Sequence, residues 1–168
     1  MLPQPSTSIE VVAFDSPAAQ AIVNAAVDEL DRRYGPMSDR APLDPATFEH
    51  PRGAFLIARI EGHLAGGVGL RTIDTSTVEI KRLWVRPDLR RTGVGRALMA
   101  AAEDGAQQLG AGLIVLETGP LQPDAVALYE AEGWQRVDEL PVAVEGHPEA
   151  IRFLKRFSAE GRRRDRRD

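Results

Sequence analysis

The stretch VRPDLRRTGVGRALMAAAE, Val85 to Glu103, brings a strand-like run to a proline and then gathers Arg90, Arg91 and Arg96 around Gly93 and Gly95. Apolar residues at helical spacing follow at once, so the loop opens into the start of a helix. A helix start offers unpaired N–H groups and a partial positive charge. Glycines let the backbone approach a ligand closely. Both suit phosphate oxygens, and the arginines add charge at the same point. The expectation is a pyrophosphate-type ligand on the backbone N–H groups of Arg91, Thr92, Gly93, Val94, Gly95 and Arg96. No Gly-x-x-x-x-Gly-Lys-Ser/Thr run is present, which excludes a Walker loop. Leu98 stands where a dinucleotide fingerprint needs its third glycine, and the loop follows a late strand rather than the first. Gly-x-Gly taken alone fits a plain helix cap with surface arginines equally well.

Other chemistries are narrowed by what the 168 residues contain. There is no cysteine, which excludes disulfides, thiolate metal sites and a cysteine nucleophile, and fits a reducing, cytoplasmic setting. His50, His63 and His147 are scattered without ligand spacing, so no metal is expected. No apolar run is long enough to cross a membrane, and Met1 to Ser8 lacks the basic start and apolar stretch of a secretory signal. The formal net charge is −4, but the last eight residues carry five Arg and two Asp. On an acidic body this tail is expected to be a solvated, disordered end rather than an arm for nucleic acid or membrane.

The elements that must position the loop alternate in type. Ile9 to Phe14 reads as a strand. Ser16-Pro17 then caps a helix that runs to Tyr34 and stops at Gly35. Residues 35–53 hold four prolines and read as irregular, with a short helix near Pro45–Glu49. Ala54–Ile60 and Leu64–Ile73 form a hairpin over Glu61-Gly62-His63. Thr77–Val85 is the next strand, Val94–Leu109 a helix stopped by Gly110, and Leu113–Leu116 a strand buried on both faces. Pro123–Glu132 is a helix stopped by Gly133, and Trp134–Val137 and Ile151–Phe157 are strands that pair. This is one mixed α/β domain over residues 9–158, with residues 1–8 and 159–168 expected to be disordered ends.

RRTGVG, Arg90 to Gly95, resembles the Gln/Arg-x-x-Gly-x-Gly/Ala signature of the GCN5-related N-acetyltransferase superfamily. The resemblance extends through VEIKRLWVRPDLRRTGVGRALMAAAEDGAQQLGAGLIVLETG, through QPDAVALYEAEGW from Gln122 to Trp134, and through the upstream hairpin GAFLIARIEGHLAGGVGL. Together these cover roughly residues 53–137. The resemblance implies a central mixed, twisted sheet of about seven strands with flanking helices and two splayed central parallel strands. It implies acetyl-coenzyme A as co-substrate, lying between Thr77–Val85 and Leu113–Leu116. Pantetheine would meet backbone near Leu83 and Val85, and the pyrophosphate would meet Arg90 to Arg96.

The same resemblance matches Tyr129 to the tyrosine that faces the thioester sulfur in many members. A phenol, with a reference pKa of about 10 against a thiol's roughly 8.5, is protonated at neutral pH and can donate to a departing thiolate. Glu79 matches a position that is often acidic and would deprotonate the incoming amine, directly or through water. Simple alternation puts Glu79, Lys81, Leu83 and Val85 on one face, which equally allows a structural Glu79–Lys81 ion pair, and a bulge would break that alignment. Glu117 is the alternative carboxylate. Three positions depart from the family's pattern: Arg91 stands where many members have glycine, Trp134 where phenylalanine is usual, and Gln122 where many have asparagine, its longer amide still expected to reach the cofactor or backbone.

The resemblance implies that the acceptor binds against the first helix, the segment after it and the last strands, here Tyr34–Phe48 and Leu140–Phe153. Asp31, Asp39, Asp44 and Glu49 suit a cationic amine, whereas Arg32, Arg33, Arg40 and Arg52 suit a carboxylate. With no cysteine, direct attack in a ternary complex is simpler than a ping-pong route. The resemblance implies transfer to a primary amine of a small molecule. A protein lysine or N-terminus, or a non-catalytic acyl-CoA sensor, are the alternatives. Many members are dimers, which leaves a homodimer open with no interface legible in the sequence.

Overall fold

The computed structural model describes residues 6–36, 43–144 and 146–158. The two expected disordered ends, apart from residues 6–8, lie outside the described residues, as do Asp39 and Arg40.

Seven strands form one sheet in the order β1-β2-β3-β4-β5-β7-β6. They are β1 (Thr7–Val12), β2 (Gly53–Ile60), β3 (His63–Thr72), β4 (Thr77–Val85), β5 (Leu113–Thr118), β6 (Gln135–Val137) and β7 (Ile151–Arg156). Every neighbouring pair is antiparallel except β4 and β5. β1 begins at Thr7, opposite Ile60, two residues before the expected start, because pairing with β2 extends beyond the apolar run. The β2–β3 turn holds Glu61 and Gly62 at φ 48° and 84°, the two positive angles of a hairpin turn matched to strand twist.

Three helices cover the sheet: α1 (Pro17–Tyr34), α2 (Val94–Gln108) and α3 (Pro123–Ala131). Ser16 caps α1 by accepting from the Ala19 amide at 3.2 Å, with Pro17 in the first turn. A 3-10 turn, Pro45–Phe48, is capped by Asp44 through the Ala46 amide at 3.0 Å, so that carboxylate has a structural partner.

Two cores form on opposite faces. α2 packs Leu98, Met99, Ala102 and Ala106 onto Val68, Leu70, Val78, Ile80, Ile114 and Leu116. Its alanines and Gly105 bring the helix close; a Cβ at Gly105 would lie 2.9 Å from Leu70. Ile22 of α1 joins Phe14, Phe48, Phe55 and Ile57 on the other face, where the Phe14 and Phe48 rings stack at 4.6 Å. Each such buried side chain contributes roughly 1.5–3 kcal/mol relative to exposure. A third cluster joins Leu113, Val115 and Leu154 to Leu140, Val142 and Val144 of the β6–β7 connection. Among the described residues, no helix is long and apolar enough to cross a membrane.

Candidate active site

β4 and β5 pair only from Thr77–Glu79 to Leu113–Val115. Beyond that point β4 stays with β3 as far as Val85 opposite Gly66, and β5 stays with β7 as far as Thr118 opposite Ile151. The sheet therefore parts into two arms. The inner edges of Ile80–Val85 and Leu116–Thr118 have no strand between them, so their backbone groups can hydrogen-bond an extended ligand arm.

A bulge sits in the β4 arm. Gly69 faces Lys81 and Gly67 faces Trp84, so Arg82 and Leu83 together oppose Val68, and Arg82 adopts φ 59°. The extra residue reverses the alternation. Glu79, Lys81 and Trp84 share the α1 face, while Leu83 and Val85 pack with the core beneath α2. The common face expected from simple alternation is thus corrected.

The loop after β4 ends at Gly93, the N-cap of α2, with φ 98° and no side chain to satisfy the first turn. The amides of Val94, Gly95 and Arg96 open the helix, and Ala97 is the first to bond back, to Gly93 at 3.0 Å. Open space surrounds Gly93. Gly95 serves packing instead, since a Cβ there would lie 3.1 Å from Leu128 of α3. Arg91 is exposed at φ 62°, the conformation that glycine adopts more easily, and has no partner among the described residues. Thr92 donates its hydroxyl to the Leu89 carbonyl. Arg96 pairs with Glu132 at 2.7 Å yet remains 71% exposed.

Arg90 points elsewhere. Its Nε donates to the Val85 carbonyl at 2.9 Å, and its two terminal nitrogens grip Glu29 of α1. The cationic groups facing open space at the helix start are therefore Arg91 and Arg96. The guanidinium of Arg90 and the carbonyl of Val85 are already engaged with each other.

Tyr129 lies on α3, packed on Phe153 at 5.4 Å and Trp134 at 6.1 Å between ring centres. Burial pushes its phenol above the usual range, so it holds its proton across neutral pH. Its hydroxyl has no hydrogen-bond partner among the described residues, and it is not one of the sealed, unpartnered polar atoms, which are Thr72 Oγ1 and Trp134 Nε1. The proton is thus committed to no acceptor among the described residues. Gln122 precedes α3 and makes no side-chain cap; its amide lies over Gly119.

The two carboxylates differ. Glu79 stands at the vertex of the splay with 4% of its side chain exposed; Arg71 gives it two hydrogen bonds and Lys81 lies 3.6 Å away. Glu117 lies two residues past the last β4–β5 pair, where Arg152 Nε donates to its Oε1 at 2.9 Å. The other Arg152 donors go to the carbonyls of Asp138, Ala150 and His147. Gly146 passes directly over the Glu117 carboxylate, where a Cβ would overlap it. Glu117 and Arg152 line an open groove of about 370 Å³ with Asp138, Glu139, Leu140 and Val142. The two carboxylates lie on the face of Val115, while Tyr129 packs into the core of the opposite face.

A parted pair of parallel strands, with a bare helix start beyond one arm, agrees with the sequence match. Residues 23–134 match the Acetyltransferase (GNAT) family. The chain belongs to this family. It is an acyltransferase with a mixed α/β fold of seven strands. It is 37% identical to the IAA acetyltransferase of Azospirillum brasilense over 128 residues, 73% of this chain and 82% of that protein. A putative acyl-CoA N-acyltransferase from Klebsiella pneumoniae superposes with a TM-score of 0.72 at 26% identity, covering 89% of this chain and 97% of that one. The PaiA N-acetyltransferase of Thermoplasma acidophilum, whose structure holds coenzyme A, superposes at 0.68 with 17% identity, covering 90% and 99%.

Several participants escaped sequence reasoning. Glu29, Arg71 and Arg152 read as surface charges on amphipathic elements, and nothing local distinguishes them from their neighbours. Trp84, which donates to Glu29 at 2.8 Å, reads only as a strand residue.

Proposed function

We propose that this GNAT acetyltransferase moves an acetyl group from acetyl-CoA to the primary amine of a small molecule by direct attack in a ternary complex. The observation that carries this is the β4–β5 splay opening beside the uncapped start of α2. The amides of Val94, Gly95 and Arg96, with the Arg91 and Arg96 guanidiniums, would take the pyrophosphate. The backbone of Leu83 and the Val85 amide would meet the pantetheine arm. Bound there, acetyl-CoA supplies a thioester whose C–S bond breaks as the amine nitrogen bonds to the acetyl carbon.

Tyr129 gives its hydroxyl proton to the departing sulfur, acting as general acid. An alkylammonium must first lose a proton, given a reference pKa of about 10.4 for a lysine-like amine. Glu117 is the better-placed base, because it lines an open groove, whereas Glu79 is enclosed and held by two cations. Glu79 then anchors the vertex. Asp138 and Glu139 beside the apolar Leu140 and Val142 suit a cationic amine with an apolar body, and the Arg152 donors are already engaged.

The test is thiol release from acetyl-CoA over small amines, amino acids, polyamines and lysine peptides. Release with a small amine supports the reading. Release only with peptides would move the acceptor to protein, and coenzyme A binding without release over the whole panel would favour a sensor.

A further inference from the structure

Glu29, midway along α1, is engaged from several elements at once. Its Oε1 accepts from Arg33 at 2.7 Å and from Arg90 Nη1 at 2.9 Å; its Oε2 accepts from Trp84 Nε1 at 2.8 Å and from Arg90 Nη2. Arg90 completes its own set through the Val85 carbonyl. Arg33 carries the connection on, donating to the Leu121 carbonyl at 2.8 Å, and the Tyr34 hydroxyl accepts from the Leu121 amide at 2.8 Å. Trp84 and Val85 end the β4 arm, and Leu121 follows the β5 arm. One helix therefore ties both arms together at the open end of the splay.

A bidentate carboxylate–guanidinium pair fixes angle as well as distance. Here the pair joins α1 to the loop whose later residues start α2. We infer that Glu29 is a positioning residue for the acetyl-CoA loop: by clamping Arg90 against the Val85 carbonyl, it sets the course of residues 90–96 and the width of the splay. Arg90, the first residue of the signature, thus acts through the loop's shape instead of reaching a phosphate. This rests on the acetyl-CoA reading above and names a residue outside the proposed chemistry.

The test is calorimetric titration of the full chain with coenzyme A, which needs no acceptor. Glu29→Gln keeps the side-chain size and removes the charge and one acceptor oxygen. It is expected to weaken coenzyme A binding about tenfold. Arg90→Gln should do the same, and the double variant should be no weaker than either single by more than about twofold, as for residues acting through one contact. Glu10→Gln, which breaks the exposed Glu10–Arg59 pair, is the control and should leave binding within about twofold. Should Glu29→Gln fail to fold, Arg90→Gln carries the test. Binding unchanged in both singles despite lowered melting temperatures would overturn the inference, as would independent effects that multiply in the double variant. Wild-type chain that takes no coenzyme A would overturn the cofactor reading instead.

Discussion

Glu79 of β4 and Val115 of β5 form the last pair before the two strands part. The carboxylate therefore sits at the vertex of the splay, enclosed and shared between Arg71 and Lys81, while Glu117 occupies the β5 arm beyond. Position along one divergence thus gives two similar side chains different surroundings.

The two carboxylates should separate experimentally. Glu79→Gln leaves Arg71 and Lys81 half-compensated and should destabilise the fold by roughly 1–3 kcal/mol in urea unfolding. Glu117→Gln should cost less stability and reduce kcat/KM by about 100-fold, with the loss shrinking at high pH as the amine deprotonates unaided. A pH–rate profile that stays intact in Glu117→Gln and collapses in a folded Glu79→Gln would reverse the assignment.

Tyr129→Phe removes one hydroxyl and keeps the ring packed on Phe153 and Trp134. The expected result is a fall in kcat of about 100-fold, with coenzyme A affinity little changed. Steady-state kinetics beside calorimetry read both quantities. Unchanged turnover would mean that water protonates the thiolate.

Gly93 and Gly95 look alike in sequence and differ in cause. Gly93→Ala places a Cβ at φ 98° and should cost roughly 1–2 kcal/mol while weakening coenzyme A binding. Gly95→Ala crowds the flexible end of Leu128, with Val85 at ordinary contact distance, and should cost under about 1.5 kcal/mol. Because Leu128 precedes Tyr129, its effect should appear in kcat more than in binding.

Acid should release the α1 clamp. Hydrogen bonding from Arg90, opposed by burial and assisted by Trp84 and Arg33, holds Glu29 down to about 2, against an ordinary 4.5. A depressed carboxylate stabilises the fold fully above its unfolded value and loses that contribution as pH falls toward its folded value. Stability should therefore fall between about pH 4.5 and 2, and Glu29→Gln should flatten this part of the curve in denaturant titrations. The Glu29 contribution is absent from the account if the two proteins lose stability in parallel across that window.

Local chemistry wrote much of the fold legibly. Ser16-Pro17, Gly35 and Gly110 mark helix ends through capping and positive φ, and alternation and turn residues place the strands and pair β6 with β7. The family signature located the α2 start. What stayed hidden depends on contacts far apart in the chain. Nothing in Lys81-Arg82-Leu83 announces the bulge, because it follows from the register against Gly67 and Gly69. Arg90 looks like a phosphate ligand because its partner, Glu29, lies 61 residues away. Asp44 reads in the sequence as one of the charges suited to a cationic acceptor, yet the geometry of a turn uses it as a cap.

The central claim is that coenzyme A lies in the splay with its pyrophosphate on the start of α2. Amide hydrogen exchange of the chain with and without coenzyme A tests this most directly. The account predicts new protection at Val94–Arg96 and at Leu83–Val85 together, with β1 and β2 unchanged. Protection elsewhere, or at neither segment when coenzyme A is bound, would contradict it.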